Sequence, residues 1–200
     1  MKRGPAPKYD REAVLDAAME VFWVRGFADA KMSEIIDRTG IGRQSLYSGF
    51  GDKNELFLAA LERYIGAVLD PRVRILENDT SADGLGGVRQ IVEDWKQGVS
   101  LSDRRGCLVA NTSAELGRRG DREVEALIAG GRQRVEDAFV RSFERAKALG
   151  GLSASADPIG LARVTMMTAD GLSSVVKTTS NYAAYGKSAL EQLLRFIEAA

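Results

Sequence analysis

Two hundred residues with 44% hydrophobic side chains are enough to bury a sizeable core, and 28 basic against 28 acidic residues give a formal net charge of zero. A neutral chain does not coat nucleic acid indiscriminately, so any nucleic-acid contact must come from a local patch. One cysteine and no histidine exclude an intrachain disulfide, a Ser-His-Asp or Cys-His pair and a histidine-based zinc site, so neither a metal nor a cofactor is expected. No run of apolar residues is long enough to span a membrane and no signal-like stretch opens the chain, which makes the cytoplasm the expected compartment.

Residues 1–8 carry Lys2, Arg3 and Lys8 with no acid, and Pro5 and Pro7 delay the first helix, so this segment reads as a flexible basic arm. From Asp10 the apolar residues Val14, Leu15, Ala18, Val21 and Phe22 share one helical face, and Gly26 is placed to end that helix. Residues 32–39 form a short second helix with Ile35 and Ile36 inward and Lys31 or Ser33 near its start. After Gly40, residues 43–48 form another short helix; Asp52 then caps a longer one carrying Leu56, Phe57, Ala60, Leu61, Tyr64, Ile65 and Val68, which Pro71 kinks or ends. Glycines at 40, 42, 49 and 51 bracket the short element.

The polar, glycine-containing stretch 78–87 marks the organisational boundary. Beyond it everything reads as helix. Residues 88–98 are amphipathic, 106–116 are nearly uncharged until Glu115, and 121–149 form a long helix stopped by Gly150-Gly151. Residues 158–180 begin at a proline suited to a first helical turn, and 185–198 carry Leu190, Leu193, Leu194 and Ile197 on one stripe. The fold class is therefore all-α, with no stretch that reads as a sheet.

A helix, a glycine-containing turn and a second short helix can present one helix end to the DNA major groove. The segment 14–64 goes further: its apolar register, its Gly-Ile-Gly turn and its Ser-Leu-Tyr-x-x-Phe-x-x-Lys run resemble the N-terminal domain of the TetR family of transcriptional regulators. The resemblance implies a helix-turn-helix domain over 9–54, a linking helix over 53–76, and an effector-binding and dimerisation domain over 77–200. Its partners would be a double-stranded DNA operator, a second copy of the chain, and a small-molecule or electrophile effector.

Carried onto this sequence, the resemblance makes Gly42, Arg43, Gln44 and Ser45 the opening of the recognition helix, with Arg43 and Gln44 reading guanine and adenine edges. Ser45 and Tyr47 would meet phosphates, as would Lys53 and either Lys31 or Ser33 at neighbouring helix starts, with Lys2, Arg3 and Lys8 as arm contacts. Leu46 and Phe50 read as core. The sequence departs from the family pattern at Gly42, where Ser or Thr commonly caps the recognition helix, at Ser48-Gly49, where larger residues commonly approach the backbone, and at Ile36, commonly a small alanine. Fewer phosphate contacts are expected as a result.

In the second half, Arg104-Arg-Gly-Cys-Leu-Val-Ala-Asn-Thr resembles a Gly-Cys-Leu-x-x-Asn-Thr segment of one branch of the family, some of whose members sense electrophiles or oxidants. Cys107, near a helix start and beside Arg104 and Arg105, is either a reactive sensor or a small buried hydrophobe. Lys177 is a lysine that could trap its oxidised form. Trp95, Asn111, Phe139, Phe143, Met166 and Met167 are candidates for an apolar effector cavity. The small residues Ala162, Ala169, Gly171, Ser173 and Ser174 suit close approach of the last two long helices in a four-helix dimer interface. Such a dimer would set two recognition helices about 34 Å apart. Two other readings compete: a helical interaction module with weakened DNA binding, and an enzyme using Cys107 as nucleophile.

Overall fold

The computed structural model describes residues 9–100, 105–116, 122–176 and 178–200; Lys2, Arg3, Lys8, Arg104 and Lys177 lie outside the described residues. Among the described residues the elements are all helical. Helix α1 (Arg11–Asp29) starts on Asp10, whose carboxylate accepts from the N–H groups of Glu12 and Ala13. Then come α2 (Met32–Thr39), α3 (Arg43–Phe50) and α4 (Lys53–Tyr64), the last opened by a capping box in which Asp52 and Glu55 satisfy each other's backbone N–H groups. Buried Val14, Ala18, Phe22, Ile35, Leu46, Phe50, Leu56 and Phe57 hold these four together.

The expected helix end at Gly26 is present: its φ of 79° and ψ of 176° are closed to other residues at ordinary energies and end the first helical run of α1, and a second short run continues across the kink to Asp29. At Pro71 the linking helix is distorted and not ended, one of the two outcomes expected there. A π-turn (Ile65–Leu69) precedes the proline and α5 (Asp70–Glu77) carries it in its first turn. Proline lacks an N–H and crowds the carbonyl four residues back, and the widened turn absorbs that misfit.

The boundary loop turns on the Asp79 carboxylate accepting from the N–H of Ser81 (2.8 Å) and the Asp83 carboxylate accepting from the N–H of Leu85 (3.1 Å). Then α6 (Gly86–Ser100), α7 (Leu108–Leu116), α8 (Arg122–Leu149), α9 (Pro158–Val175) and α10 (Tyr182–Glu198) build the larger part. Helix α8 is its axis. Arg134 and Arg141 reach Asp70 and Glu77 of α5, Arg145 donates to the Leu76 carbonyl, and Arg132 and Arg163 join α8 to α9 through Asp170 and Glu136. One continuous apolar core runs from Val14 to Ile197, so the DNA-binding part does not sit on a separate core but shares one with the body behind it.

Candidate nucleic-acid interface and effector cavity

Gly40, at φ 68° and ψ 8°, ends α2 in the left-handed conformation and turns the chain into α3. The first turn of α3 exposes Arg43, Gln44 and Ser45 together, while Leu46 is fully buried and Phe50 nearly so. Neither Arg43 nor Gln44 makes a hydrogen bond or ion pair among the described residues. Tyr47 is 39% exposed on the next turn. Gly42 is the N-cap and supplies no side-chain bond, and Lys31 likewise caps α2 with none. The first backbone N–H groups of both helices are therefore left open, with Lys31 and Ser33 exposed beside those of α2.

Lys53 opens α4, as expected. Its Nζ donates to the Ala28 carbonyl (3.1 Å) and lies 4.8 Å from the centre of the Phe27 ring. The N-terminus of α4 that would assist it is occupied by the Asp52 carboxylate, which accepts from Asn54 (2.8 Å) and Glu55 (3.0 Å). Gly49 is corrected: it lies inside α3, not in an exit turn. A side chain there would stand 1.9 Å from the Tyr9 hydroxyl, and Tyr9 packs its ring 6.0 Å from Phe50. Arg11 completes this lock, donating to the Gly49 carbonyl (2.7 Å) with its guanidinium 4.4 Å from the Phe50 ring centre. The chain leading into α1 thus closes the far end of the recognition helix.

A cavity of about 270 Å3 lies at the start of α7, lined among others by Trp23, Tyr64, Trp95, Cys107, Met166 and Val176. Of the expected lining, Trp95, Cys107 and Met166 belong to it. Phe139 and Phe143 are fully buried core packed on each other at 6.1 Å. Asn111 is structural: it donates to the Arg105 carbonyl (2.7 Å) and so closes the first turn of α7. Met167 is 73% exposed and points away from the cavity.

Cys107 precedes the first residue of α7, and its N–H donates to Ser173 Oγ on α9 (3.2 Å). Arg105 pairs with Glu20 and stacks 4.3 Å over the Trp23 ring. The Cys107 side chain meets the Tyr64 hydroxyl, whose pKa is pushed well above its usual range by burial first and by Cys107 second. Trp23 crosses from α1 to donate to the Gly106 carbonyl (2.9 Å), with its ring edge-on to Tyr64 at 4.9 Å.

The other end of α7 touches the break in α1. Glu115 accepts the N–H of Phe27 at 2.9 Å and of Ala28 at 2.6 Å, the two groups exposed just past Gly26. A single short helix therefore runs from the cavity at Cys107 to a carboxylate clamp on the DNA-binding part. Sequence reasoning missed Glu115, Trp23, Tyr64 and Tyr9. The break at Gly26 was a signal that some acceptor must cap the next turn, but nothing local named a residue so distant in the chain.

Helices α9 and α10 also carry an exposed apolar face: Ile159, Val164 and Met167 on one, Tyr185 and Phe196 on the other. Along α9, Val164, Met167, Gly171 and Ser174 are all exposed and follow 3-4-3 spacing on one side, whereas Ala162 and Ser173, expected on this face, are buried within the protomer.

A short helix with a solvent-facing first turn, set by a glycine turn on its predecessor and tied to a helical body, places the chain among helix-turn-helix DNA-binding proteins. Comparison with known proteins makes this specific. The family model "Bacterial regulatory proteins, tetR family" matches residues 14–60, and "Tetracyclin repressor-like, C-terminal domain" matches residues 84–190. The chain belongs to the TetR family of bacterial DNA-binding transcriptional regulators. It is 28% identical over 184 residues to an uncharacterized HTH-type transcriptional regulator, YezE of Bacillus subtilis, covering 89% of this chain and 91% of that one. Over 63 residues it is 40% identical to the transcriptional repressor ComR of Escherichia coli, 32% of this chain and 30% of that one. Among solved structures, a cysteine mutant of the TetR family regulator CifR bound to a 26-base-pair operator is 31% identical, with a TM-score of 0.75 over 96% of this chain and 98% of that one.

Proposed function

We propose that the protein is a dimeric repressor that binds an inverted-repeat operator and releases it when the cavity at the start of α7 is filled or Cys107 is modified. The observation that carries this reading is the exposed set Arg43, Gln44 and Ser45 above buried Leu46 and Phe50. Two readers of base edges thus stand on a helix end whose N–H groups are open to a phosphate. Tyr47, Lys31, Ser33 and Gly42 complete the contact surface, and Lys53 is assigned to the hinge rather than to DNA. The apolar face of α9 and α10 is the dimer interface, which accounts for the exposure of Met167.

Release follows from α7. A ligand beside Cys107 that favours one position of α7 also favours one position of Glu115, and hence one setting of the Phe27–Ala28 turn that leads into α2. The binding free energy needs to differ between the two settings by only about 1–3 kcal/mol to change operator affinity about 5–150-fold.

An operator selected from random-sequence DNA by the full-length protein, titrated over a salt series, tests the reading. Arg43→Ala and Gln44→Ala are expected to relax base preference at defined positions while leaving the salt slope nearly unchanged. Selection of no preferred sequence would remove the regulator reading and favour an interaction module. For the thiol, Cys107→Ser is expected to bind operator normally and to stop responding to oxidant or electrophile. A mutant that still responds fully makes Cys107 structural.

A further inference from the structure

We infer that the cavity at the start of α7 binds a small aromatic monocarboxylate, with Arg72 holding its carboxylate. This rests on the reading of that cavity as the effector site and names what the site takes.

The charges around the cavity single out Arg72. The cavity-lining arginines are Arg72, Arg105 and Arg132. Arg105 is paired with Glu20, and Arg132 forms a two-pronged pair with Asp170 at 2.8 and 2.6 Å. Arg72, in the first turn of α5, is half-buried and has no carboxylate partner among the described residues. Its guanidinium lies 6.0 Å from the Trp95 ring centre and acts on the Tyr64 hydroxyl, so it faces the aromatic part of the cavity. The acids on the lining are Asp170, committed to Arg132, and Asp94, which is exposed. A planar guanidinium drawn partly out of water without an anion is matched by a ligand carboxylate, which it can hold through two parallel N–H bonds.

The remaining surface sets the rest of the ligand. Trp23, Trp95 and Tyr64 supply aromatic walls, and Val68, Leu69 and Leu172 supply aliphatic ones. An apolar cavity of roughly 150 Å3 accepts benzene. A space of about 270 Å3 therefore accommodates one ring with a short carboxylate-bearing arm, and a second ring would crowd it. The ring would lie against Trp95, on the side where Arg72 already stands.

The chain's two tryptophans, Trp23 and Trp95, both line this cavity, so intrinsic fluorescence reports on it directly. Full-length protein is titrated with benzoate, phenylacetate and 3-phenylpropanoate, and with the primary amide of each, which keeps shape and loses charge. At least one acid is expected to give a saturable fluorescence change, with its amide binding at least about tenfold more weakly. Arg72→Met keeps an apolar stem against Trp95 and is expected to erase that acid–amide difference, while Arg72→Lys, which keeps the charge, restores part of it. Circular dichroism and thermal melts of both variants establish that they fold.

No saturable binding by any of the acids overturns the inference, as do equal affinities for acid and amide or an unchanged preference in Arg72→Met. Operator retention, measured on the same samples, separates this from the effector reading. Acids that bind through Arg72 without releasing operator leave the carboxylate site standing and remove the effector reading. Acids that release operator equally from wild type and Arg72→Met do the reverse.

Discussion

Replacing Gly26 by alanine perturbs the junction between the cavity helix and the DNA-binding part in a way that can be dissected. An alanine at φ 79° and ψ 176° carries about 1–3 kcal/mol of backbone strain. The added methyl carbon would also stand 2.6 Å from Glu115 Oε2 and 3.1 Å from its Cδ, and the flexible carboxylate must swing away. That movement breaks the bonds to Phe27 and Ala28 at 2.9 and 2.6 Å. Both are solvent-exposed, so each contributes about 0.5–1.5 kcal/mol rather than the larger value of a buried charged bond.

Gly26→Ala is therefore expected to destabilise by about 2–6 kcal/mol and Glu115→Ala by about 1–3 kcal/mol. Because the first substitution already removes the clamp, the double mutant should be no less stable than Gly26→Ala alone. Urea unfolding at one fixed protein concentration measures all three, since the stability of the proposed dimer would depend on concentration. In thermal melts Glu115→Ala should lower Tm by about 2–12 °C for a chain of this size. Glu115→Gln keeps one carbonyl acceptor and should fall between. Strictly additive losses in the double mutant would refute the clamp, and so would a Glu115→Ala protein as stable as wild type.

Other substitutions test other contacts. Gly49→Ala should destabilise by displacing Tyr9 from Phe50, an aromatic contact of about 0.5–1.5 kcal/mol; in a Tyr9→Ala background the same change should stabilise by about 0.5–1 kcal/mol, because alanine is the better helix residue. Met167→Glu should shift sedimentation from dimer to monomer while leaving helical content intact; an unchanged dimer would place the interface elsewhere. The Asp16 carboxyl titrates below its ordinary 3.8 because Arg63 hydrogen-bonds it, at 2.7 Å from Nε. A lowered native pKa contributes stability above the unfolded value and loses it as pH falls through the native one. Asp16→Asn should thus lower stability near neutrality, where the contribution is fully present, and flatten the stability profile below about pH 4, where the wild type has lost it too. High salt should weaken this contribution, since the pair is partly exposed.

The helical class, the short helix pair and the inward set Leu46 and Phe50 were legible in the sequence because each depends on local spacing: apolar residues on a 3.6-residue period, a glycine able to turn left-handed at 40, an uncapped start at Gly42. The outward set Arg43, Gln44 and Ser45 follows from the same register. What spacing could not supply was which side of a buried helix meets which neighbour. Met166 and Met167 are adjacent and chemically alike, yet one lines the cavity and the other lies on the open face of α9, because successive helical residues point about 100° apart. Phe139 and Phe143 met the criteria for a cavity and proved to be the packing behind it. Gly49 looked like a turn residue, but the Tyr9 hydroxyl beside it, forty residues back in the chain, is what requires the missing side chain.

The sequence by itself determined that these helices form and which short one presents its end to solvent. Only the tertiary structure decided that α7 connects the cavity to the hinge, for a physical reason: a carboxylate at one helix end can satisfy N–H groups opened by a glycine far away in the chain only when packing brings them within hydrogen-bond distance.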